Sequence, residues 1–194
     1  MKKFVLALGL TALTAAAQAA TATAVFAGGC FWCTESDFEK LPGVVAAESG
    51  YTGGKTANPT YEAVSAGHTG HTEAVRVTYD PAKVSYAQLV EFFWHTIDPT
   101  EKDRQFCDVG DQYRSGIYWG TDAERQVAEA SLAKLKESGR FKNIYTEVKK
   151  ADPFYVAEDY HQDYYKKNSV RYSYYRFSCG RDAQIKRVWK MEGS

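Results

Sequence analysis

The sequence predicts one domain of the α/β or α+β class, a mixed sheet covered by helices, and three observations carry that expectation. Runs that alternate apolar and polar residues are interleaved with runs whose apolar residues recur at helical spacing. The 194-residue chain is 44% hydrophobic and 25% charged, which suits a single real core. No internal repeat or low-complexity tract divides it.

Lys2 and Lys3 lead into the apolar run FVLALGLTALTAAA and then AQA, the charge, apolar core and small-residue pattern of a secretory signal peptide. Residues 1–19 are expected to be cleaved after Ala19, leaving 20–194 as the domain, with 168–194 a tail that carries Cys179. A retained anchor is the alternative, but the run falls short of the ~20 apolar residues of a spanning helix. Export, to the bacterial periplasm, is therefore expected, with no stable membrane association after cleavage. Loss of Lys2 and Lys3 changes the balance from 24 basic and 24 acidic residues to 22 and 24. A near-neutral chain offers nothing to a nucleic acid.

Each element has its own signal. TAVFAGG reads as a buried strand ending in a glycine turn, and CTESDFEK as a helix closed by LPG, which puts Cys30 at a helix N-terminus. A thiolate is favoured there by the unpaired N–H groups and the helix dipole. VVAAESGY is a strand, and residues 52–71 a long loop carrying Tyr61 and two histidines. In EAVRVTYDP the alternation puts Val75, Val77 and Tyr79 on one face, and parity places Glu73 with them if the strand reaches that far; if it does not, Glu73 is solvated. Residues 85–97 form a helix with a Ser85/Gln88 capping box. A second long loop, 98–115, carries Cys107, Asp108 and Tyr113 before the strand GIYW. Thr121 and Glu124 open a confident helix that stops at Gly139, NIYTEVKK is a strand, AEDYHQDYYKKN a short helix, and the rest an irregular aromatic and basic tail.

Four cysteines, Cys30, Cys33, Cys107 and Cys179, admit several chemistries. In an oxidising compartment an even count suggests two inert bridges in a binding domain. A zinc site lacks a second clip, since Cys107 and Cys179 stand apart and the four histidines form none. A dithiol carrier would use Cys30 and Cys33 as a C-x-x-C pair, although Phe31-Trp32 is a bulky spacer. A fourth reading makes Cys30 a nucleophile assisted by Glu73, whose pKa would be raised by an apolar setting. Phe31 and Trp32 serve either as core or as an apolar binding wall.

GGCFWCTE, PGVVAAESGYTGGKTANPTYEAV, GHTGHTEAVRVTYDP, FFWHTIDPT, DQYRSGIY and PFYVAEDYHQDY together resemble successive blocks of the A-type peptide methionine sulfoxide reductase family, from about Phe26 to about Tyr165. The resemblance implies a two-layer sandwich of ferredoxin-like plait type and a shallow basin. It implies an oxidoreductase that repairs proteins after oxidative stress by reducing methionine-S-sulfoxide, free or in proteins and peptides. It implies no bound cofactor or metal, an external thioredoxin-like dithiol as reductant, and a monomer. Position by position, Cys30 matches the nucleophile, Phe31 and Trp32 the methyl pocket, Glu73 the proton donor, Tyr61 and Tyr113 the hydroxyls on the sulfoxide oxygen, and Asp108 a polar residue beside them. The sulfenic acid left on Cys30 then condenses with a second cysteine to a disulfide. The family often has Gly where Cys33 stands and often places the resolving cysteine in the tail. Cys179 is therefore the expected resolving residue, with Cys33 and Cys107 as alternates.

Overall fold

The computed structural model describes residues 20–190, so the expected signal peptide lies outside the described residues. The first half of the chain forms β1 (Ala22–Gly28), α1 (Phe31–Phe38), β2 (Val44–Thr52), α2 (Tyr61–Ser65), β3 (Thr72–Tyr79) and α3 (Tyr86–Trp94). A two-residue hairpin follows, β4 (Arg104–Gln105) and β5 (Asp108–Val109), then a single 3-10 turn at Asp111–Tyr113 and β6 (Ser115–Trp119). The second half is α4 (Asp122–Glu137), β7 (Glu147–Lys150), β8 (Tyr155–Val156), α5 (Tyr164–Lys167), α6 (Ser169–Ser178) and α7 (Arg181–Trp189).

Six strands make one sheet in the order β7-β6-β1-β3-β2-β8. The inner four, β6-β1-β3-β2, are antiparallel, and the crossovers through α1 and α3 give them the ferredoxin-like plait. The parallel pairing of β7 with β6, across α4, makes the sheet mixed. Alternation along β3 separates the two faces: Val75 and Val77 join Phe26, Tyr51 and Ile117 under the helices, while Ala74 joins Ala27 and Tyr118 in a smaller cluster behind. Phe26, Phe38 and Phe93 stack at the centre of the helical face, Phe26 lying 4.8 Å from Phe38 and 5.2 Å from Phe93. Burying each such ring contributes roughly 2–3 kcal/mol. Both expected capping boxes are present, on α3 and α4.

Besides the β4–β5 hairpin and 3-10 turn inside the loop expected over 98–115, three stretches differ from the sequence expectation. The long loop after β2 contains α2, capped by Thr60. The helix expected over 157–168 is reduced to α5, because the side chain of Gln162 bonds both backbone groups of Ser49 and holds the preceding residues in turns. The tail is helical rather than irregular: α7 sends Ile185 and Trp189 into the main core, and the Trp189 indole donates to the Ile97 carbonyl at 2.9 Å. Its signal was a helical period carried by tyrosines, Tyr172 and Tyr175 followed by Cys179. No helix among the described residues is long and apolar enough to cross a membrane.

Candidate active site

Cys30 caps the N-terminus of α1, where β1 ends in the Gly28-Gly29 turn. Gly29 has φ of +83° and a Cβ there would sit 2.5 Å from Gln105 Cβ, so only glycine brings β1 so tightly into the helix. The Cys30 carbonyl accepts from the Cys33 and Thr34 amides, closing the first turn. Cys30 and Cys33 are both free and buried, at 6% and 2% exposure, in one small cluster with Tyr164 and Tyr172.

Glu73 lies on the core face of β3, 2% exposed, and its Oε2 accepts from the Phe31 amide at 2.9 Å. A carboxyl thus caps the same helix end as Cys30. Burial pushes its pKa up to about 8, against the Phe31 hydrogen bond that favours the anion, with the Asp108 and Cys33 charges adding to the rise. The result is a carboxyl that holds its proton at neutral pH.

The two thiols divide their proton unequally. Burial, the contact with Cys33 and the acidic Glu73 and Asp108 raise Cys30, whereas the hydrogen bond from Cys30 lowers Cys33 to about 7, helped by Arg181 and Arg176. One negative charge on the pair therefore rests first on Cys33.

Around Cys30 a cavity of about 140 Å³ is lined by Phe31, Trp32, Tyr61, Glu73, Asp108, Tyr113 and Tyr175. It has room for the sulfur end of a side chain. Larger clefts of about 500 Å³ lie elsewhere, along α3, α4 and α7, and hold no free thiol. Phe31 is 1% exposed and forms the floor against Tyr51 and His161. Trp32 stacks on Tyr164 at 3.7 Å between centroids and donates its indole N–H to His161 Nδ1 at 3.0 Å. Tyr61 opens α2, its amide held by Glu158 Oε1 at 2.8 Å. Burial raises the pKa of Tyr61 and of Tyr113, so both keep their protons as donors. Asp108, on β5, is also raised by burial, offset by Tyr175 and Arg181.

Cys179, the expected resolving residue, is not a free thiol in this structure. Its sulfur is bonded to Cys107, with Cα atoms 5.1 Å apart, because the helical tail sets Cys179 at the end of α6 facing the hairpin. Cys33 is the thiol left beside Cys30. Sequence reasoning also passed over His161, which fixes Trp32, and Tyr175, which reaches in from the tail. The Trp-His pair spans 129 residues and leaves no local signal.

Residues 22–193 match the family model for peptide methionine sulfoxide reductase. The chain belongs to that family. It is 49% identical over 188 residues to "Peptide methionine sulfoxide reductase MsrA 2" of Caulobacter vibrioides, covering 96% of this chain and 95% of the relative. Methionine sulfoxide reductase A of Corynebacterium diphtheriae superposes with a TM-score of 0.70 at 39% identity, over 79% of this chain and 77% of the other. Mxr1 from Saccharomyces cerevisiae, in its reduced form, gives a TM-score of 0.70 at 32% identity, over 77% and 86%. The yeast protein has also been solved in complex with Trx2. The reductase family thus supplies the reaction, reduction of methionine sulfoxide, and the cavity around Cys30 is where this chain gathers groups suited to it.

Proposed function

We propose that this reductase acts on methionine-S-sulfoxide through Cys30, with Glu73 as proton donor and Cys33 as the resolving thiol. The observation that carries the reading is the shared helix end: a nucleophile and a protonated carboxyl meet at the start of α1 inside one small cavity. The methyl group lies against Trp32 and Phe31, and the oxygen against Glu73, Tyr61 and Tyr113. Cys30 attacks the sulfoxide sulfur as its proton passes to Cys33, and Glu73 gives its proton to the oxygen as charge develops there. Methionine leaves, and Cys30 becomes a sulfenic acid. Cys33 then attacks the Cys30 sulfur, the S–O bond breaks, and the oxygen departs as water with the proton shared by the thiols and the one from Glu73. The products are methionine, a Cys30–Cys33 disulfide and water.

A thioredoxin-like dithiol returns the pair to thiols, a reading supported by the complex of the related yeast protein with Trx2. The charge and apolar pattern of residues 1–19 supports export to the periplasm. A monomer with no stable membrane association completes the proposal. The test is single-turnover conversion of separate S and R epimers of a methionine sulfoxide peptide by pre-reduced protein without added reductant. About one equivalent of the S epimer and none of the R is expected, and conversion of neither overturns the assignment.

A further inference from the structure

One wall of the cavity comes from the tail. Tyr175 of α6 donates its hydroxyl to Asp108 Oδ2 at 2.6 Å, and its ring meets the Trp32 indole edge-on, centroids 5.9 Å apart at 83°. One turn further along the same helix, Cys179 is bonded to Cys107, the residue before Asp108. Helix and hairpin are therefore joined at two points a turn apart, one covalent and one a hydrogen bond to a carboxylate.

The other tyrosines of α6 show what ordinary placement looks like. Tyr174 is 75% exposed, and the Tyr172 hydroxyl accepts from Arg176, beside the Asp37 ion pair rather than in the cavity. Tyr175 alone among them lines the space around Cys30. Its partner Asp108 is a partly buried carboxylate whose charge burial disfavours, and the Tyr175 hydroxyl offsets that and fixes which way the carboxylate faces.

We propose that Tyr175 is a positioning residue of the sulfoxide site, orienting Asp108 and Trp32, and that the Cys107–Cys179 bond seats it there. The proposal rests on the reading of the cavity as the sulfoxide site. It means that this chain completes its basin with a piece of its tail, and that the second cysteine pair serves the first at a distance.

The test compares Tyr175→Phe, Asp108→Asn and their combination, together with Cys107→Ser/Cys179→Ser, in single turnovers over a range of methionine-S-sulfoxide peptide concentrations. The amplitude reports the nucleophile, and the half-saturating concentration and limiting rate report positioning. Tyr175→Phe keeps the ring and is expected to convert one equivalent with its rate at low peptide concentration reduced roughly tenfold, the effect of a hydrogen bond to a charged group. Combined with Asp108→Asn it should add nothing to the larger single loss, which separates orientation of Asp108 from general loosening. The double serine variant should weaken half-saturation in the same direction at full amplitude. A Tyr175→Phe protein within twofold of the parent in both parameters, or losses that multiply with Asp108→Asn, would overturn the role of Tyr175. Unchanged half-saturation in the double serine variant would overturn the role of the bond. Failure of the parent to convert any sulfoxide is a different result, since it removes the reading of the cavity itself.

Discussion

The two cysteine pairs of this chain differ in every property that governs thiol chemistry. Cys30 and Cys33 are free and buried at a helix N-terminus, between Glu73, which can give a proton, and the fixed positive charges of Arg176 and Arg181. Cys107 and Cys179 are bonded across 72 residues, between an exposed hairpin residue and the end of a helix. The first arrangement lets Cys30 give up its proton to Cys33 as it attacks a substrate, and the second restricts the unfolded chain. Closing a loop of that length stabilises the fold by about 4 kcal/mol in the chain-entropy account. A count of four cysteines merges these roles, and only their surroundings separate them.

Substitution at each pair should give opposite results, and the largest contrast is at Cys30. Cys30→Ser should abolish sulfoxide reduction in a single-turnover assay, whereas Cys107→Ser/Cys179→Ser should still convert one equivalent. Glu73→Gln should slow the first turnover roughly 10²–10³-fold by removing the proton while keeping the shape. An unchanged rate at neutral pH would exclude Glu73 as the acid. Cys33→Ser should convert one equivalent more slowly and then stop, so its loss appears in steady-state turnover with a protein dithiol. The double serine variant should lower the melting temperature by roughly 10 °C, from the loop-closure contribution and the usual shift per kcal/mol for a chain of this size.

The pH profile sharpens the same contrast. The negative charge of the Cys30/Cys33 pair is lost as pH falls through about 7, and the Glu73 proton is lost as pH rises through about 8. Single-turnover rates should therefore fall on both sides of a narrow optimum between those values. Glu73→Gln should remove the alkaline fall and keep the acid one.

What was legible in the sequence follows what is local. The alternation of β3 put Glu73 on the core side only if the strand reached it, which its start at Thr72 settles, and Thr121 with Glu124 marked the start of α4. Cys30 at a helix start was readable because glycines precede it and acidic residues follow. The ordered blocks of the family carried the remaining residues of the cavity, from Tyr61 to Tyr113. Contacts that close over long separations left no such trace: Trp32 with His161, Tyr175 with Asp108 and Cys107 with Cys179 are each set by where the tail and its approach pack. The tail was read as irregular because tyrosine and arginine disguise its helical period.

Disulfide mapping after one turnover tests the central claim most directly. Protein with Cys30 and Cys33 reduced would be given excess methionine-S-sulfoxide peptide, alkylated and digested. The account predicts that the peptide holding Cys30 and Cys33 resists alkylation and is two hydrogens lighter, while Cys107 and Cys179 remain joined as before. A Cys30–Cys179 linkage with Cys107 released would contradict it.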